Sequence, residues 1–245
     1  NPLSEDLNVM RRSVACSLWQ NVKENFHMGN HSGKLFEMGN TFSKVENDFK
    51  ETNRLALASW GESFGLYSDK TPQVLQIKSA LEKIFSYLSI SSYTFKNSEI
   101  QVPFLHAGQC AKVIVEGKNI GFIGTVHPLY INEAKIRTEV AIAEINLDVL
   151  LQGQPRPQKF KSVATTQTIE RDFSFVFESE KPVGNLLSDI KKSLGGVCKE
   201  MKVFDIYQGD KLDPKLKSVS LRICLQDAQK ELDEATLQEI SKKVL

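Results

Sequence analysis

Apolar and polar residues alternate in two stretches of the last third of the chain. Within Arg171–Glu178 every second residue from Phe173 to Phe177 is a phenylalanine, and within Lys217–Gln226 every second residue from Val219 to Leu225 is valine, leucine or isoleucine. A period of two is typical of β-strands, whose successive side chains point to opposite faces. Val183–Leu194 and Asp233–Leu245 are predicted to be helices, and Phe204–Tyr207 another strand. The order strand, helix, strand, strand, helix predicts a ferredoxin-like βαββαβ domain that lacks its last strand.

The strand around Phe204 has two different sides. One side carries Lys202, Phe204, Ile206 and Gln208, and the other carries Met201, Val203, Asp205 and Tyr207. We expect Phe204 and Ile206 to lie in the core, which leaves Val203 and Tyr207 on the uncovered face of the sheet. Helices cover one face of a ferredoxin-like sheet, so the opposite face can meet nucleic acid, as in the four-stranded RNA-recognition fold.

The opening of the chain has the pattern of one amphipathic helix. Ser4 is a candidate N-cap, and apolar residues recur at steps of three and four: Leu7, Met10, Val14, Leu18, Val22 and Phe26. Such a stripe must be covered, either by its own domain or by a partner subunit. A second helix is predicted to follow Thr71-Pro72, with Thr71 as the N-cap and Pro72 as the first helical residue.

Strands predominate in the rest of the first 150 residues. Lys34–Phe42 is predicted to hold short strands, and Arg54–Ser59 is either a helix or a strand. Further strands are predicted at Ser92–Phe95, Ala111–Glu116, Asn119–Val126 and Val140–Asn146, with a hairpin at Gly117 between the middle pair. Many strands without regular βαβ alternation indicate an antiparallel sheet and the α+β class.

Composition limits the possible functions. Of the 245 residues, 41% are apolar and 25% charged, values of an ordinary globular protein. No stretch approaches the roughly 18 apolar residues of a membrane span. The four cysteines have no metal-site spacing and are expected to be reduced, cytoplasmic thiols.

Net charge is +1 and is spread evenly along the chain. Residues 1–152 carry 15 basic and 16 acidic side chains, and residues 153–245 carry 16 and 14. Neither part has the strongly basic balance of a protein that holds nucleic acid by charge alone. Any RNA binding must therefore be local and depend on shape, or be supported by other parts of a complex.

Sequence motifs for catalysis are missing. The chain has neither a G-x-x-x-x-G-K-[ST] phosphate loop nor a dinucleotide fingerprint. His27 and His31 are separated by glycine and have no nearby carboxylate or thiol, so we expect no metal site. His106 and His127 occupy turn-like contexts and are expected to make structural hydrogen bonds.

Several motifs resemble, in order, the β subunit of phenylalanyl-tRNA synthetase. They are NPLSEDLNVMRRS at Asn1–Ser13, LFEMG at Leu35–Gly39, PFLHAG at Pro103–Gly108 and IGFIGTVHP at Ile120–Pro128, followed by the Arg-Asp, FDIY and Lys-Ser signatures of the C-terminal strands. Ala107 departs from the family, which usually has proline there. The resemblance covers nearly the whole chain.

This resemblance implies a domain organisation. Residues 1–151 would form a class II synthetase-like core, residues 152–161 a linker, and residues 162–245 a ferredoxin-fold anticodon-binding domain. The linker contains two prolines and three basic residues and is either solvated or in contact with RNA phosphates. Because the chain opens without methionine and ends in a helix without a C-cap, we expect a fragment whose missing last strand would lie beside Arg171–Glu178.

The resemblance also implies a core without catalytic residues. Active class II cores stabilise the phosphate charge of the adenylate with arginine. If Glu37 is matched to the family's glutamate, that arginine position holds Leu35, and no arginine lies between Arg54 and Arg137. The α subunit would then make the adenylate, so that ATP and Mg²⁺ serve the parent enzyme and no cofactor belongs to this chain.

Partners and contact residues follow from the same resemblance. The implied assembly is a cytoplasmic α2β2 heterotetramer that binds tRNA(Phe) and has no membrane contact. The predicted tRNA-binding residues are Val203, Tyr207, Ser220 and Arg222, expected on the uncovered face of the sheet, and Arg171, expected at the end of a strand beside them. The predicted subunit interface consists of Leu7, Met10, Val14 and Leu18. The alternative function is a ferredoxin-like module that senses a small molecule or binds a protein, for which Gly195-Gly196 is the candidate turn if it is not a helix C-cap.

Overall fold

The computed structural model describes residues 9–46, 48–61, 71–97, 102–152, 165–209, 212–227 and 230–244. The chain divides into two compact units, Asn1–Gln158 and Lys159–Leu245. Apart from its first residue, the predicted linker 152–161 lies outside the described residues, as do Ser4 and Leu7.

The first unit is built on a six-stranded antiparallel sheet. In chain order its strands are β1 (Gly33–Val45), β2 (Asp48–Trp60), β3 (Tyr93–Lys96), β4 (Leu105–Val115), β5 (Lys118–Val126) and β6 (Val140–Asn146). They lie in the order β1-β2-β6-β5-β4-β3. The described helices of this unit are α1 (Val14–His27), α2 (Gln73–Tyr87), α3 (Pro128–Glu133) and α4 (Leu147–Leu150). The antiparallel α+β class is confirmed, and Arg54–Ser59 is a strand.

Helices cover both faces of this sheet. Helix α1 packs on the face that holds Ala58 and Ile142. Helices α2 and α4 pack on the opposite face, which holds Leu55 and Ala143. Strand β6, near the middle of the sheet, is therefore buried along almost its whole length, as expected of a strand that is covered on both sides.

Helix α1 is shorter than the sequence predicted. The described residues before Ser13 are not helical, and the helix begins at Val14 with Ser13 as its N-cap rather than at Ser4. Val14 and Leu18 are buried in the core of their own unit. The stripe is thus covered within the unit at Val14 and Leu18, and the prediction that these two residues face a partner is wrong.

Two local signals in the sequence can be compared directly with the structure. Helix α2 begins at Gln73 with Pro72 in the N-cap position, one residue later than predicted. The loop between β4 and β5 consists of Glu116 and Gly117, with φ values of 48° and 79°. Two consecutive residues with positive φ form the type I′ turn that suits a tight hairpin, so the hairpin predicted at Gly117 is confirmed.

The described residues of the second unit form three strands, two α-helices and a single 3-10 turn at Gly195–Val197. In chain order the strands and α-helices are β7 (Ile169–Glu178), α5 (Val183–Leu194), β8 (Cys198–Tyr207), β9 (Leu216–Leu225) and α6 (Glu234–Val244). The antiparallel sheet has the order β7-β9-β8. The predicted order of elements is confirmed. Gly195, with φ of 56°, is the C-cap of α5.

One face of the second sheet is covered by α5 and α6. The buried residues of the central strand are Val219, Leu221, Ile223 and Leu225. They form one core with residues of both helices, including Ile190 on α5 and Ile240 on α6. The phenylalanines of β7 pack against the same core. The alternation that predicted β7 and β9 therefore corresponds to one buried and one outward face.

A β-bulge interrupts the alternation of β8. Val203 pairs with Leu221 and packs into the core, whereas Asp205 pairs with Ser220, the next residue of β9. Two residues of β8 thus oppose one residue of β9, which is the definition of a bulge. Beyond it, the inward and outward positions of β8 are exchanged.

The bulge corrects the predicted faces of β8. Phe204, expected in the core, lies on the opposite side and is 52% exposed. Ile206 pairs with Val219 on the side of the core, as expected, but it is 53% exposed and thus not buried there. Val203, expected on the uncovered face, packs into the core. The alternation of apolar and polar residues predicts faces only if each residue of one strand pairs with one residue of the next. It therefore cannot reveal the extra residue of a bulge.

Candidate nucleic-acid interface

The sheet of the second unit has a face opposite α5 and α6, which we call the open face. On β7 it carries Glu170, Asp172, Ser174, Val176 and Glu178. On β9 it carries Ser218, Ser220, Arg222 and Cys224, and on β8 Glu200, Lys202, Phe204, Asp205 and Tyr207. Cross-strand pairing brings these side chains into contact in adjacent rows.

Arg222 lies in the middle of the open face and contacts all three strands. Its Nε and Nη2 donate hydrogen bonds to the two carboxylate oxygens of Asp172, each at 2.8 Å. Its Nη1 lies 3.4 Å from a carboxylate oxygen of Glu170. The guanidinium carbon is 5.6 Å from the centre of the Phe204 ring, within the range of a cation–π interaction. The bulge in β8 makes this contact possible, because it turns Phe204 outward.

The ion pair between Asp172 and Arg222 changes the titration of both groups. Side-chain hydrogen bonding to Arg222 is the main reason that the pKa of Asp172 lies below its usual value. The same interaction raises the pKa of Arg222. A carboxyl group with a lowered pKa stays charged as the pH falls until that lowered pKa is reached. The pair is therefore intact at neutral pH.

Tyr207 lies at the end of β8, opposite Ser218. Its surface is 40% exposed, and its ring lies beside Gly209, where a methyl group would come within 2.8 Å of the Tyr207 hydroxyl. In the middle of the sheet, the Ser220 and Ser174 hydroxyls are hydrogen-bonded at 3.0 Å. Tyr207 thus offers an aromatic surface at one end of the open face.

The structure brings together only part of the predicted tRNA-binding set. Three of the five residues lie on the open face: Tyr207, Ser220 and Arg222. Val203 is partly buried and packs against the core of the second unit. Arg171 pairs in register with Ile223, a buried residue, and its guanidinium lies 3.8 Å from Glu234 on α6. Arg171 is thus on the side covered by helices, and the expectation that it borders the uncovered face is wrong.

The charge of the open face is negative. Its acidic residues are Glu170, Asp172, Glu178, Glu200 and Asp205, and its basic residues are Lys202 and Arg222. A surface with this excess of carboxylates repels phosphate groups. The features left for recognition are the aromatic rings of Phe204 and Tyr207, the hydroxyls and the plane of the Arg222 guanidinium.

Phe204 and Asp172 are the residues of this face that sequence reasoning missed. The position of Asp172 was open to prediction, because it alternates with the buried phenylalanines of β7. Its pairing with Arg222 depends on the register between β7 and β9, and the outward position of Phe204 depends on the bulge. No sequence pattern indicates either the register between β7 and β9 or the position of the bulge.

The predicted subunit interface is not assembled as one surface. Val14 and Leu18 are buried, Leu7 lies outside the described residues, and Met10 is exposed. Exposed apolar side chains of the first unit also occur on the β1–β2 hairpin, where one face carries Phe36, Met38 and Phe49. Apolar side chains exposed in a group often mark a protein contact.

A buried carboxylate holds the beginning of α1 on the first sheet. Glu144 is 3% exposed. It accepts hydrogen bonds from the Ser13 hydroxyl at 2.6 Å and from the Ala15 backbone N–H at 2.9 Å. Arg54 lies 3.9 Å from the same carboxylate. Glu144, on strand β6, therefore caps the N-terminus of α1 by accepting the Ala15 N–H.

The same face of the first sheet does not fit ATP or Mg²⁺. Leu35, at the position that resembles the arginine of active cores, packs against the apolar core. Arg11 is paired with Glu37, and Arg54 lies beside Glu144. Arg11 and Arg54 thus already have carboxylate neighbours within the chain itself.

The histidines have structural partners. Nδ1 of His106 accepts a hydrogen bond from the Gly108 N–H, and Nδ1 of His127 accepts one from the Leu129 N–H, as predicted. No group of three or more potential metal ligands occurs among the described residues. In the same part of the chain, no helix combines the length and apolar character needed to cross a membrane.

Two family descriptions match the chain. "Phenylalanyl tRNA synthetase beta chain CLM domain" matches residues 1–147. "Ferredoxin-fold anticodon binding domain" matches residues 164–245. The first match alone takes in more than half of the chain.

The chain is also similar to curated proteins named phenylalanine–tRNA ligase beta subunit. Identity is 43% to the protein of Bdellovibrio bacteriovorus, 31% to that of Thermotoga maritima and 30% to that of Carboxydothermus hydrogenoformans. Each alignment covers 100% of this chain and 31% of the relative. The chain thus spans about a third of the length of the curated relatives it matches.

Proposed function

Because the chain belongs to the phenylalanyl-tRNA synthetase beta chain family, we propose that it is part of a phenylalanine–tRNA ligase beta subunit with two tasks. Its second unit binds tRNA(Phe) near the anticodon through the open face. Its first unit helps to hold the α subunit in an α2β2 assembly and makes no adenylate. The ATP and Mg²⁺ of the complete enzyme act at the α subunit.

The observation that carries the tRNA assignment is the open face itself. It is an uncovered sheet surface that bears Phe204, Tyr207 and Arg222, in a unit that matches the anticodon-binding description. Sequence-specific RNA recognition relies on unpaired bases that stack on aromatic rings or on arginine planes. Unpaired bases of this kind occur in an anticodon loop.

The energetics favour contacts to bases over contacts to phosphates. One base stacked on an aromatic side chain contributes about 1–3 kcal/mol. The open face has few cations to neutralise phosphates. We therefore expect weak binding by the second unit alone and a shallow dependence on salt, with a slope of about −0.7 for each phosphate contact.

Two features of the first unit support a scaffolding task. Its sheet is covered on both faces, and Arg11 and Arg54 lie beside carboxylates of the same chain. Cations that are already paired are poorly placed to meet the charge that develops on the phosphate during adenylate formation. Exposed apolar side chains at Met10, Phe36 and Met38 are candidates for the α-subunit contact.

The test of tRNA binding is Tyr207→Ala in the beta subunit of the complete ligase. Loss of the stacking surface should weaken tRNA(Phe) affinity about tenfold or more. ATP–pyrophosphate exchange, which reports adenylate formation by the α subunit, should stay at the wild-type rate. Tyr87→Ala is the matched control, because Tyr87 is an exposed tyrosine of the first unit. Wild-type tRNA affinity in Tyr207→Ala, measured by filter binding, would rule out the open-face contact.

A further inference from the structure

All three nitrogens of the Arg222 guanidinium already have carboxylate neighbours. Two of its nitrogens donate to Asp172, and the third lies 3.4 Å from Glu170. Arginine recognises phosphate through the same fork of N–H donors. A phosphate could take this fork only by displacing Asp172 from a bidentate ion pair. The parts of the guanidinium that remain for a ligand are its flat faces.

The guanidinium carbon lies over the Phe204 ring, at 5.6 Å from the ring centre. The arrangement joins the three strands, since Asp172 is on β7, Arg222 on β9 and Phe204 on β8. Asp172 thereby fixes the plane of the guanidinium, and Phe204 supports it. Planar cationic groups held in this way stack well on nucleic-acid bases.

The surrounding charges act against a phosphate at this place. Glu170 and Asp172 flank the guanidinium, and Asp205 lies on the neighbouring strand. These carboxylates would repel a negatively charged phosphate, whereas they would not repel an uncharged base. At this place the open face therefore favours the base of a nucleotide over its phosphate.

We propose that Arg222 is a platform on which an unpaired base of the RNA stacks, that Asp172 positions it, and that the phosphates of the bound strand point away from the sheet. This inference rests on the proposed function. It assigns Asp172 and Phe204 to recognition and removes Arg222 from the possible phosphate ligands.

The proposal reverses the expected effect of Asp172→Asn. If Arg222 were a phosphate ligand restrained by Asp172, removing the carboxylate charge would release it, tighten tRNA binding and steepen the salt dependence by about 0.7. If Arg222 is a positioned platform, the same change loosens the guanidinium and weakens binding without altering the salt slope.

The experiment uses the complete ligase with three beta-subunit variants, Asp172→Asn, Arg222→Lys and Arg171→Lys. Lysine keeps the positive charge but lacks the planar group. Arg171 is the matched control, because it is also ion-paired but lies on the side of the sheet covered by helices. The measurements are kcat and KM for tRNA(Phe) in aminoacylation, and tRNA affinity between about 50 and 200 mM salt.

We expect Asp172→Asn and Arg222→Lys to raise KM for tRNA about fivefold or more, with unchanged kcat and salt slope. Arg171→Lys should behave as wild type. Tighter tRNA binding by Asp172→Asn, or a wild-type KM for tRNA in Arg222→Lys, would contradict the proposal that a base stacks on Arg222. If circular dichroism shows that Asp172→Asn does not fold, the KM for tRNA of Arg222→Lys alone tests the proposal.

Tyr207→Ala separates this proposal from the proposed function. When Tyr207→Ala raises KM for tRNA and neither Arg222→Lys nor Asp172→Asn does, the face binds tRNA and the platform alone is wrong. When none of the three variants changes KM, the open face does not bind tRNA, and both proposals fail.

Discussion

The sheets of the two units differ in how many of their faces are covered. In the first unit, strand β6 has the sequence VAIAEIN and is buried on both sides. In the second unit, strand β9 has the sequence LKSVSLRICL and is buried only at alternate residues. A sheet that is covered on both faces gives rigidity, whereas a sheet covered on one face keeps a surface for a ligand. The comparison supports a scaffold in the first unit and a binding surface in the second.

A carboxylate paired with arginine occurs in both units, with different consequences. Glu144 is buried, lies near Arg54 and fixes the beginning of α1. Asp172 is exposed and holds Arg222 on the open face. Removing a buried partner leaves polar groups unsatisfied and destabilises the fold. An exposed pair contributes little to stability, so a geometric role explains Asp172 better than a role in folding.

The largest expected effect comes from placing aspartate on the central strands. In β6, Ile142→Asp and Ala143→Asp enter opposite cores. Each should destabilise the first unit by about 3–5 kcal/mol, because the new charge is buried and unpaired. Urea unfolding of the isolated 245-residue chain, followed by tryptophan fluorescence, is a specific probe, since Trp19 and Trp60 are the two tryptophans of this sequence and both lie in this unit.

In β9 the same substitution should depend on the face. Leu221→Asp enters the core of the second unit and should unfold it, whereas Ser220→Asp points to the open face and should leave it folded. Amide hydrogen exchange in β7 and β9 distinguishes the two results. Equal loss of protection in both variants would mean that the open face is covered, contrary to the comparison.

A smaller effect is expected at the edge of the first sheet. If the β1–β2 hairpin contacts the α subunit, Met38→Asp should weaken their association about tenfold or more, because a charge would enter an apolar contact. Tryptophan fluorescence should show an intact first unit. Sedimentation of the variant with the α subunit measures the association.

Leu129→Asp is the matched control for that test, because Leu129 is an exposed apolar residue on α3, away from the hairpin. It should associate as wild type. The reverse result, with normal association of Met38→Asp and weak association of Leu129→Asp, would place the interface on α3.

Periodicity predicted most elements of both units, since it follows from which side chains are buried. The bounds of α5 and β6 agree with the predicted Val183–Leu194 and Val140–Asn146. The start of α1 was misjudged because residues 9–13 carry the apolar spacing of a helix without forming one. Their conformation depends on distant partners: Phe42 N–H bonds the Arg11 carbonyl, and Glu144 binds Ser13.

The candidate site was predictable only in part. Tyr207, Ser220 and Arg222 were placed on the correct face, since β9 alternates regularly and Tyr207 follows the bulge. Val203 precedes the bulge and was therefore placed on the wrong face. The bonds of Arg222 depend on strand register, which is a property of the folded sheet and not of any single segment.

The central claim is that tRNA lies on the open face and not on the helices of the second unit. A photoactivatable cross-linker attached to a single cysteine tests this in the complete ligase, after Cys16, Cys110, Cys198 and Cys224 and the other cysteines of the ligase have been replaced by serine. The single cysteine is placed at Val176, which is exposed on the open face, or at Ser188, which is exposed on α5. The account predicts a covalent adduct with tRNA(Phe) from position 176 and none from position 188. An adduct from position 188 and none from position 176 would contradict it.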